Sequence, residues 1–307
     1  MNTVTLKIDS DTLKQMESFY EAVRIPVHKD YILWKCTTPN GVNLTIYASK
    51  KGFKALFSGP EALEEARRWN PDAAFNAVKE KKPSFWLYEG DQIGSDEVGT
   101  GDFFGPVIVV ASFVRASDIA WLREERIDDS KKMTDRRITE LVPLLLNRIV
   151  FSKLTCPNEK YNELVGRGYS LNKIKAILHN HALLKVREKI GKADMPCFVD
   201  QFAEPDLYYF YLQNEPEVLN RNIVFKTKGE SFYPSVALSS MIARYGFLKE
   251  IEKIEEKYGM SIPKGASEKV DRVALTFAGK YGLNELKKNI KINFSNFSRL
   301  KEQFPEK

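Results

Sequence analysis

The segment IGSDEVGTGDFFGPVIVVASFV, residues Ile93–Val114, is the part of the chain around which the predicted fold is built. Two adjacent acids, Asp96 and Glu97, precede three glycines and a β-branched run that is typical of a buried strand. Neighbouring side chains of a strand point to opposite faces, so the two acids would normally diverge. We expect the glycines behind them to relieve this by twisting or bulging the backbone. Such a pair is costly to bury unless a cation meets it, and the alternative is a solvated hairpin turn.

The composition of the 307-residue chain, 43% hydrophobic and 29% charged, is typical of a soluble globular protein with one or two domains. No apolar run reaches the roughly 18–20 residues that cross a bilayer, and no secretory signal is present, so we expect no membrane partner. Three isolated cysteines, Cys36, Cys156 and Cys197, argue against a disulfide framework or a zinc site and favour the reducing cytoplasm. The net charge of +6 permits nucleic-acid binding without demonstrating it.

The first part of the chain predicts a small α+β sheet domain. Alternating residues predict strands at Val4–Ile8, Tyr31–Thr38, Val42–Ser49 and Phe53–Gly59, and helices capped at Ser10 or Asp11 and opened by Pro60. Polar, proline- and glycine-containing sequence from about residue 70 is typical of a linker. We therefore predict that residues 1–85 form one domain, including this linker, and that residues 86–307 form the other.

A candidate substrate-binding surface lies on the predicted hairpins of this first domain. The turn Pro39-Asn40-Gly41 is a strong hairpin signal. Asn40 and the basic residues Lys50, Lys51 and Lys54 are the candidate contacts. The alternative is a solvated basic edge that discourages aggregation.

A local excess of positive charge follows in the second domain. Residues 166–192 contain seven basic residues and a single acid, Glu188, an excess as large as the net charge of the whole chain. The basic residues are Arg167, Lys173, Lys175, Lys185, Arg187, Lys189 and Lys192. The excess is typical of a protein that binds a polyanion, although it could also be an ordinary solvated helix surface.

Acids stand at the ends of several predicted strands of the second domain. Asp96 and Glu97 lie on the first strand, Asp200 on a later one, and Glu230 just past another, before a helix. Strand ends and helix starts gather at one edge of such a sheet, so we expect the four carboxylates to converge and to need cations. Oxygen ligands without cysteine or paired histidine select Mg²⁺ or Mn²⁺, and two such ions would activate water against a phosphodiester. The residues thus predict a metal-dependent nuclease.

Four motifs in order give the chain a family resemblance. DEVGTGDFFGP, the DSKK of Asp129–Lys132, VDQF around Asp200 and KGES at Glu230 resemble the type 2 ribonucleases H. With the N-terminal sheet domain, they resemble the ribonuclease HIII branch in particular. The resemblance implies a ribonuclease H-like, mixed five-stranded sheet flanked by helices, and an N-terminal α+β domain resembling the TATA-box-binding protein. It also implies endonucleolytic hydrolysis of the RNA strand of RNA/DNA hybrids by two metal ions, leaving 3′-hydroxyl and 5′-phosphate ends.

The resemblance also implies a role for individual residues. Asp96, Glu97, Asp200 and Glu230 correspond to the catalytic and metal-binding quartet, and glutamate at the last position marks the HIII branch. Gly99, Thr100 and Gly101 take the place of a glycine–arginine–glycine turn in the HII enzymes and are candidate substrate contacts, as are Lys131 and Lys132. We expect two Mg²⁺ or Mn²⁺ ions, a hybrid duplex as partner, and a monomer.

Three further polar residues receive no catalytic role. His179 and His181 are two apart on a predicted helix and do not share a face, so we interpret them as packing or surface residues. Asp102 is interpreted as a turn acid. Two alternatives to a hybrid-specific ribonuclease remain, namely a metal nuclease of the same fold acting on another nucleic acid, and a binding module without turnover. Intact acids at all four positions disfavour the second, because a module that only binds gains nothing from burying them.

Overall fold

The computed structural model describes residues 3–29, 31–49, 52–76, 86–127, 133–192, 194–220 and 222–302. The chain divides into two compact units, Met1–Lys81 and Lys82–Lys307. The predicted boundary between residues 85 and 86 adjoins a segment outside the described ranges and stays a prediction. In the ranges given above, no helix is both long enough and apolar enough to span a membrane.

The N-terminal unit is an antiparallel sheet with two helices on one face. Its elements are β1 (Thr3–Ile8), α1 (Ser10–Phe19), β2 (Arg24–Lys29), β3 (Ile32–Thr37), β4 (Asn43–Ser49), β5 (Gly52–Ser58) and α2 (Ala62–Arg67). The strand order is β1-β5-β4-β3-β2. Helix α1 is capped by Asp9, whose side chain accepts a hydrogen bond from the Thr12 N–H, rather than by Ser10 or Asp11.

Alternation along the strands gives this sheet one covered face and one open face. The covered face carries buried apolar residues, for example Trp34 and Cys36 on β3 and Leu44 and Ile46 on β4. Lys7, Lys35 and Lys54 are exposed and lie on the open face, on β1, β3 and β5. None of the five strands, as described, contains an aspartate or glutamate. The open face is therefore basic along its described strands.

The C-terminal unit contains a second sheet with helices on both faces. Its strands are β6 (Gln92–Val98), β7 (Val107–Val114), β8 (Val150–Cys156), β9 (Cys197–Asp200) and β10 (Ile223–Lys226). Its helices are α3 (Ile119–Glu124), α4 (Asp135–Leu146), α5 (Asn158–Gly166), α6 (Leu171–Ile190), α7 (Pro205–Tyr211), α8 (Pro234–Tyr258), α9 (Glu268–Tyr281), α10 (Leu283–Lys287) and α11 (Ser295–Lys301).

The strand order of this sheet is β10-β9-β6-β7-β8. The β6–β7 and β7–β8 pairs are antiparallel, whereas β9 runs parallel to both β6 and β10. Helix α8 packs against β6 and β7, and α6 packs against the same strands and β8. The predicted mixed five-stranded sheet flanked by helices is thus confirmed.

Close packing of α8 on β6 explains the small residues in the first half of that helix. A Cβ atom added at Gly94 would lie 2.4 Å from both the Ser235 hydroxyl oxygen and the Val236 backbone nitrogen. The Ser239 hydroxyl donates a hydrogen bond to the Gly94 carbonyl (2.8 Å), and the Ser235 hydroxyl donates to the Gln92 side-chain oxygen (2.8 Å). This contact brings the start of α8 against the strand that carries Asp96 and Glu97.

Candidate active site

The two acids of β6 lie on opposite faces of the sheet. The strand pairs regularly with β7 through Val98, with Asp96 opposite Val110 and Glu97 opposite Val109. The glycines behind the acids therefore do not turn the two side chains to one face, which corrects that expectation. Asp96 is instead contacted from α8, and Glu97 from α6.

Asp96 is a buried carboxyl without a cationic partner among the contacts described. Its own carboxyl oxygen accepts the Glu97 N–H (2.7 Å), and the Ser240 hydroxyl on α8 is a further hydrogen-bond partner. Burial, followed by the negative charges of Glu97 and Asp200, raises the pKa of Asp96 well above its usual value, and these two hydrogen bonds offset the effect only in part. Negative charge is thus concentrated at this strand end.

Glu97 has opposite electrostatic surroundings. Its two oxygens are contacted by two cationic or hydrogen-bonding groups of α6, with the Lys175 Nζ at 2.5 Å from one and the His179 Nε2 at 3.0 Å from the other. Burial alone would raise the pKa of Glu97, but the His179 and Lys175 contacts outweigh it and hold the pKa below the usual value. Glu97 is therefore ionised and compensated where it lies.

His179 and Lys175 are site residues that the sequence analysis missed. His179 is fully buried, and its Nδ1 lies 2.8 Å from the Ser95 hydroxyl, so it is neither a surface residue nor an inert packing residue. Lys175, counted among the basic residues of a polyanion-binding surface, is only 7% exposed. The available signal was their spacing of four residues, which places both on one face of the helix.

Asp200 and Glu230 lie at the same end of the sheet. Val199 pairs with Ser95, so Asp200 at the end of β9 is next to Asp96 at the end of β6. An Asp200 oxygen accepts the Gly229 N–H (2.8 Å) at the start of a short 3₁₀ turn, Gly229–Ser231, in which Glu230 is buried. The described side chains include no group of three or more His, Cys, Asp or Glu residues that could hold a metal ion as arranged.

The glycine loop between β6 and β7 follows the acids directly. Gly99 adopts φ +85°, and a Cβ atom added there would lie 2.1 Å from the Pro106 carbonyl oxygen, so no other residue fits. Gly101 is exposed, and an added Cβ would meet nothing within 4 Å. Thr100 lies half-buried between them. The absence of a side chain at Gly101 thus serves no internal packing and leaves the loop surface accessible.

A buried lysine holds the far side of this loop. The Lys291 Nζ donates to the carbonyls of Asp102 (2.8 Å) and Gly105 (2.5 Å) and is fully buried. The Asp102 carboxylate accepts the Gly265 N–H (2.6 Å), so it bonds a distant segment of the chain rather than the backbone of its own turn. Burial lowers the pKa of Lys291 to about 7.

The remaining predicted contacts are divided between described and undescribed parts of the chain. Lys50, Lys51, Lys131 and Lys132 lie outside the described residues. Asn40 is exposed in the turn between β3 and β4, whereas Lys54 is opposite Tyr47 on β4. Tyr47 is four residues, about 13 Å, from the Asn43 end of that strand, so Asn40 and Lys54 do not form one hairpin tip. His181 is half-exposed and pairs with Glu215.

Comparison with known proteins identifies the family of the chain. A family model described as ribonuclease HII matches residues 93–297, from the β6 strand into the last helix. Ribonuclease HIII of Bacillus anthracis is 37% identical over 304 residues, covering 96% of each chain, and that of Bacillus cereus is 36% identical over the same length and coverage. The crystal structure of Bst-RNase HIII in complex with Mn²⁺ matches 99% of this chain and 100% of that one, with 30% identity and a TM-score of 0.69. The chain therefore belongs to the ribonuclease HII family, and its similarity to ribonucleases HIII spans almost its whole length.

Proposed function

We propose that this enzyme hydrolyses the RNA strand of RNA/DNA hybrids endonucleolytically and leaves 3′-hydroxyl and 5′-phosphate ends. The observation that carries the proposal is the concentration of carboxylates at one end of the sheet, where burial and then the negative charges of Glu97 and Asp200 raise the pKa of Asp96. Carboxylates with pKa values perturbed in this way cluster at functional sites, where a bound cation can relieve the repulsion.

Two divalent ions, Mg²⁺ or Mn²⁺, are the proposed cofactors, held by Asp96, Glu97, Asp200 and Glu230. The donors are all carboxylate oxygens, which suits these hard ions. Mg²⁺ commonly binds one or two carboxylates and completes its coordination with water and substrate phosphate, so a closed cage of three protein ligands is not required. When bound, such ions activate a water molecule and stabilise the leaving oxygen of the phosphodiester. A cation bound here would relieve the repulsion that Asp96 experiences from Glu97 and Asp200.

The hybrid duplex is the proposed partner. A basic sheet face in the N-terminal unit and an exposed loop backbone in the C-terminal unit support this proposal. In the N-terminal unit, Lys7, Lys35 and Lys54 give the open sheet face a positive charge suited to phosphates. In the C-terminal unit, the exposed backbone around Gly101 is accessible to a sugar or phosphate next to the acids. We further propose that the protein acts as a monomer in the cytoplasm, where its three free, buried cysteines would stay reduced.

A panel of labelled duplexes tests the proposal. The full chain would be incubated with RNA/DNA hybrid, duplex RNA and duplex DNA of one sequence, with Mg²⁺, with Mn²⁺ or with chelator. We expect cuts within the RNA strand of the hybrid only, dependent on metal, with ends that accept ligation as 3′-hydroxyl and 5′-phosphate. Cleavage of duplex DNA or duplex RNA at a comparable rate would instead support the same fold acting on another nucleic acid.

A second substrate tests the contribution of Thr100. Threonine cannot make the charged, forked contacts of the arginine found at this place in the HII enzymes. A duplex DNA with a single ribonucleotide must be recognised through that one sugar, so we expect the enzyme to cleave it much more slowly than continuous hybrid in Mg²⁺. Equal rates on both substrates would remove this specificity while leaving the nuclease assignment standing.

A further inference from the structure

We propose that His179 and Ser95 are positioning residues for Glu97, and that Lys175 balances its charge, so that the carboxylate is oriented for divalent metal before metal arrives. The inference rests on the proposed metal-dependent function and adds three residues to it. It concerns a connected buried network on the α6 face of the sheet, opposite the face on which Asp96 lies.

The network fixes the Glu97 carboxylate at both oxygens. The Lys175 Nζ lies 2.5 Å from one oxygen and the His179 Nε2 lies 3.0 Å from the other. In the second contact the His179 Nε2 donates to the carboxylate oxygen when the ring carries its proton on that nitrogen. Each carboxylate oxygen has two lone pairs, so one acceptor position per oxygen remains for a cation.

The two α6 side chains are themselves held in place. Ser95 precedes Asp96 on β6, and its hydroxyl lies 2.8 Å from the other ring nitrogen of His179. Both α6 side chains also pack on Phe202, with the Lys175 Nζ 4.1 Å from the ring centroid and the His179 ring centroid 5.1 Å away. Since Ser95 and His179 are fully buried, their hydrogen bond is protected from exchange with water.

This geometry suits an outer-sphere role. Hydrogen bonds from neighbouring side chains to a ligating carboxylate fix its orientation, and losing them commonly weakens metal affinity or activity about 10–100-fold. A buried Glu97 freed from His179 would sample other rotamers within the same space, which would lower the fraction of molecules ready to bind metal. Hybrid binding by the basic surfaces would not change.

The test compares His179 with His181 on the same helix. His179→Phe fills the ring volume but removes the donor, whereas His179→Gln returns an N–H near the position of Nε2. His181→Gln is the matched control, because His181 pairs with Glu215 on the half-exposed side of α6. Mn²⁺ affinity would be measured by calorimetry without substrate, alongside the Mg²⁺ concentration for half-maximal cleavage, the KM for hybrid, and thermal unfolding in chelator.

We expect His179→Phe to weaken Mn²⁺ binding at least about tenfold and to raise the half-maximal Mg²⁺ concentration similarly, with KM for hybrid unchanged. His179→Gln should recover most of the loss, and His181→Gln should match the parent. Folded His179→Phe with Mn²⁺ affinity within about twofold of the parent would overturn the proposal. If His179→Phe does not fold, Ser95→Ala decides, since it releases His179 by removing a single hydroxyl. If the parent binds Mn²⁺ but cuts no hybrid, the proposed function fails, while the calorimetric comparison still decides the positioning role.

Discussion

Asp96 and Glu97 are adjacent in the chain but differ in what stabilises them. Burial of Asp96 on the α8 face, followed by the negative charges of Glu97 and Asp200, raises its pKa, and its hydroxyl and amide hydrogen bonds offset this only in part. On the α6 face, Glu97 meets an ammonium group and an imidazole, so its pKa falls. The period of two along a strand is the reason that one dipeptide supplies both environments. Among the contacts described, Asp96 therefore has no cationic partner, whereas Glu97 is already paired with Lys175 and hydrogen-bonded to His179.

Lys175→Met should destabilise the fold, because it keeps the packing of the stem on Phe202 but leaves buried Glu97 without its ammonium partner. Removing one member of a buried ion pair typically lowers the free energy of unfolding by about 3–5 kcal/mol. We expect a smaller loss here, because the contact between His179 and Glu97 remains. Urea unfolding in chelator at neutral pH measures the loss. Lys185→Met, on the exposed side of the same helix, is the control and should change stability by less than about 0.5 kcal/mol. A Lys175→Met protein as stable as the control would mean that Glu97 is not buried as described.

The loop between β6 and β7 is held in its shape partly by a side chain from a distant part of the sequence. Gly99 supplies the positive φ, but Lys291, far along the chain, binds the Asp102 and Gly105 carbonyls from inside the protein. In these two contacts the Lys291 Nζ donates to backbone carbonyls and not to a carboxylate. Two N–H groups are therefore enough to make both hydrogen bonds. A neutral amine still provides two, which is compatible with a lysine whose pKa is lowered to about 7 by burial.

The buried Lys291 predicts a pH dependence of stability. Its pKa of about 7 in the folded state lies below the ordinary value of 10.5, so between these values the unfolded chain binds more protons than the folded one. Stability should therefore rise with pH through this window, and the cost of burying the charged form should be fully present below it. The free energy of unfolding of the parent and of Lys291→Met would be measured with denaturant from about pH 6 to pH 9. We expect the value for the parent to rise relative to that for the variant as the pH rises. Lys269→Met, at an exposed lysine, should show no such trend, and a parallel pH profile for Lys291→Met would contradict the account.

For the molecule as a whole, we propose that the N-terminal unit contributes to duplex binding and that the C-terminal unit carries out hydrolysis. The N-terminal unit has a sheet face with three lysines and no acid on its described strands, whereas the candidate site acids of the C-terminal unit lie at one end of its sheet. The exposed lysines of the first unit would contact phosphates, and the acids of the second would hold the metal ions.

Replacing Lys7, Lys35 and Lys54 together by glutamine should weaken hybrid binding without changing the rate of cleavage at saturating hybrid. Each phosphate contact contributes roughly 0.7–0.9 to the slope of log affinity against log salt, so up to three contacts would lower the slope by about 2–3. Binding titrations over a range of salt concentrations, in chelator to prevent cleavage, measure both quantities. Unchanged affinity and salt slope in a folded triple variant would assign this sheet face another role.

The sequence predicted the elements whose signals are local and missed the contacts made between distant segments. The β6–β7 segment and the four acids at strand ends could be found because strands, glycines and isolated acids are visible in short windows. Lys175 and His179 could not be assigned to Glu97, because the residues that bind it lie about eighty positions away on a helix whose basic residues resemble a solvated surface. The glycines in the sequence predicted a distortion of β6 at Asp96 and Glu97. The strand in fact pairs regularly through Val98, because the first glycine of the loop, Gly99, comes only after it.

The most direct test of the account is Asp96→Asn, measured in one preparation for hybrid cleavage, hybrid binding and thermal stability. The substitution keeps the shape of the side chain and removes the charge that burial, Glu97 and Asp200 disfavour. We expect cleavage in Mg²⁺ to be abolished, hybrid affinity to be retained, and the melting temperature in chelator at neutral pH to rise by about 2–4 °C for each kcal/mol of repulsion removed. Near-normal turnover of hybrid by a folded Asp96→Asn enzyme would contradict the central claim that Asp96 holds the metal ions that drive hydrolysis.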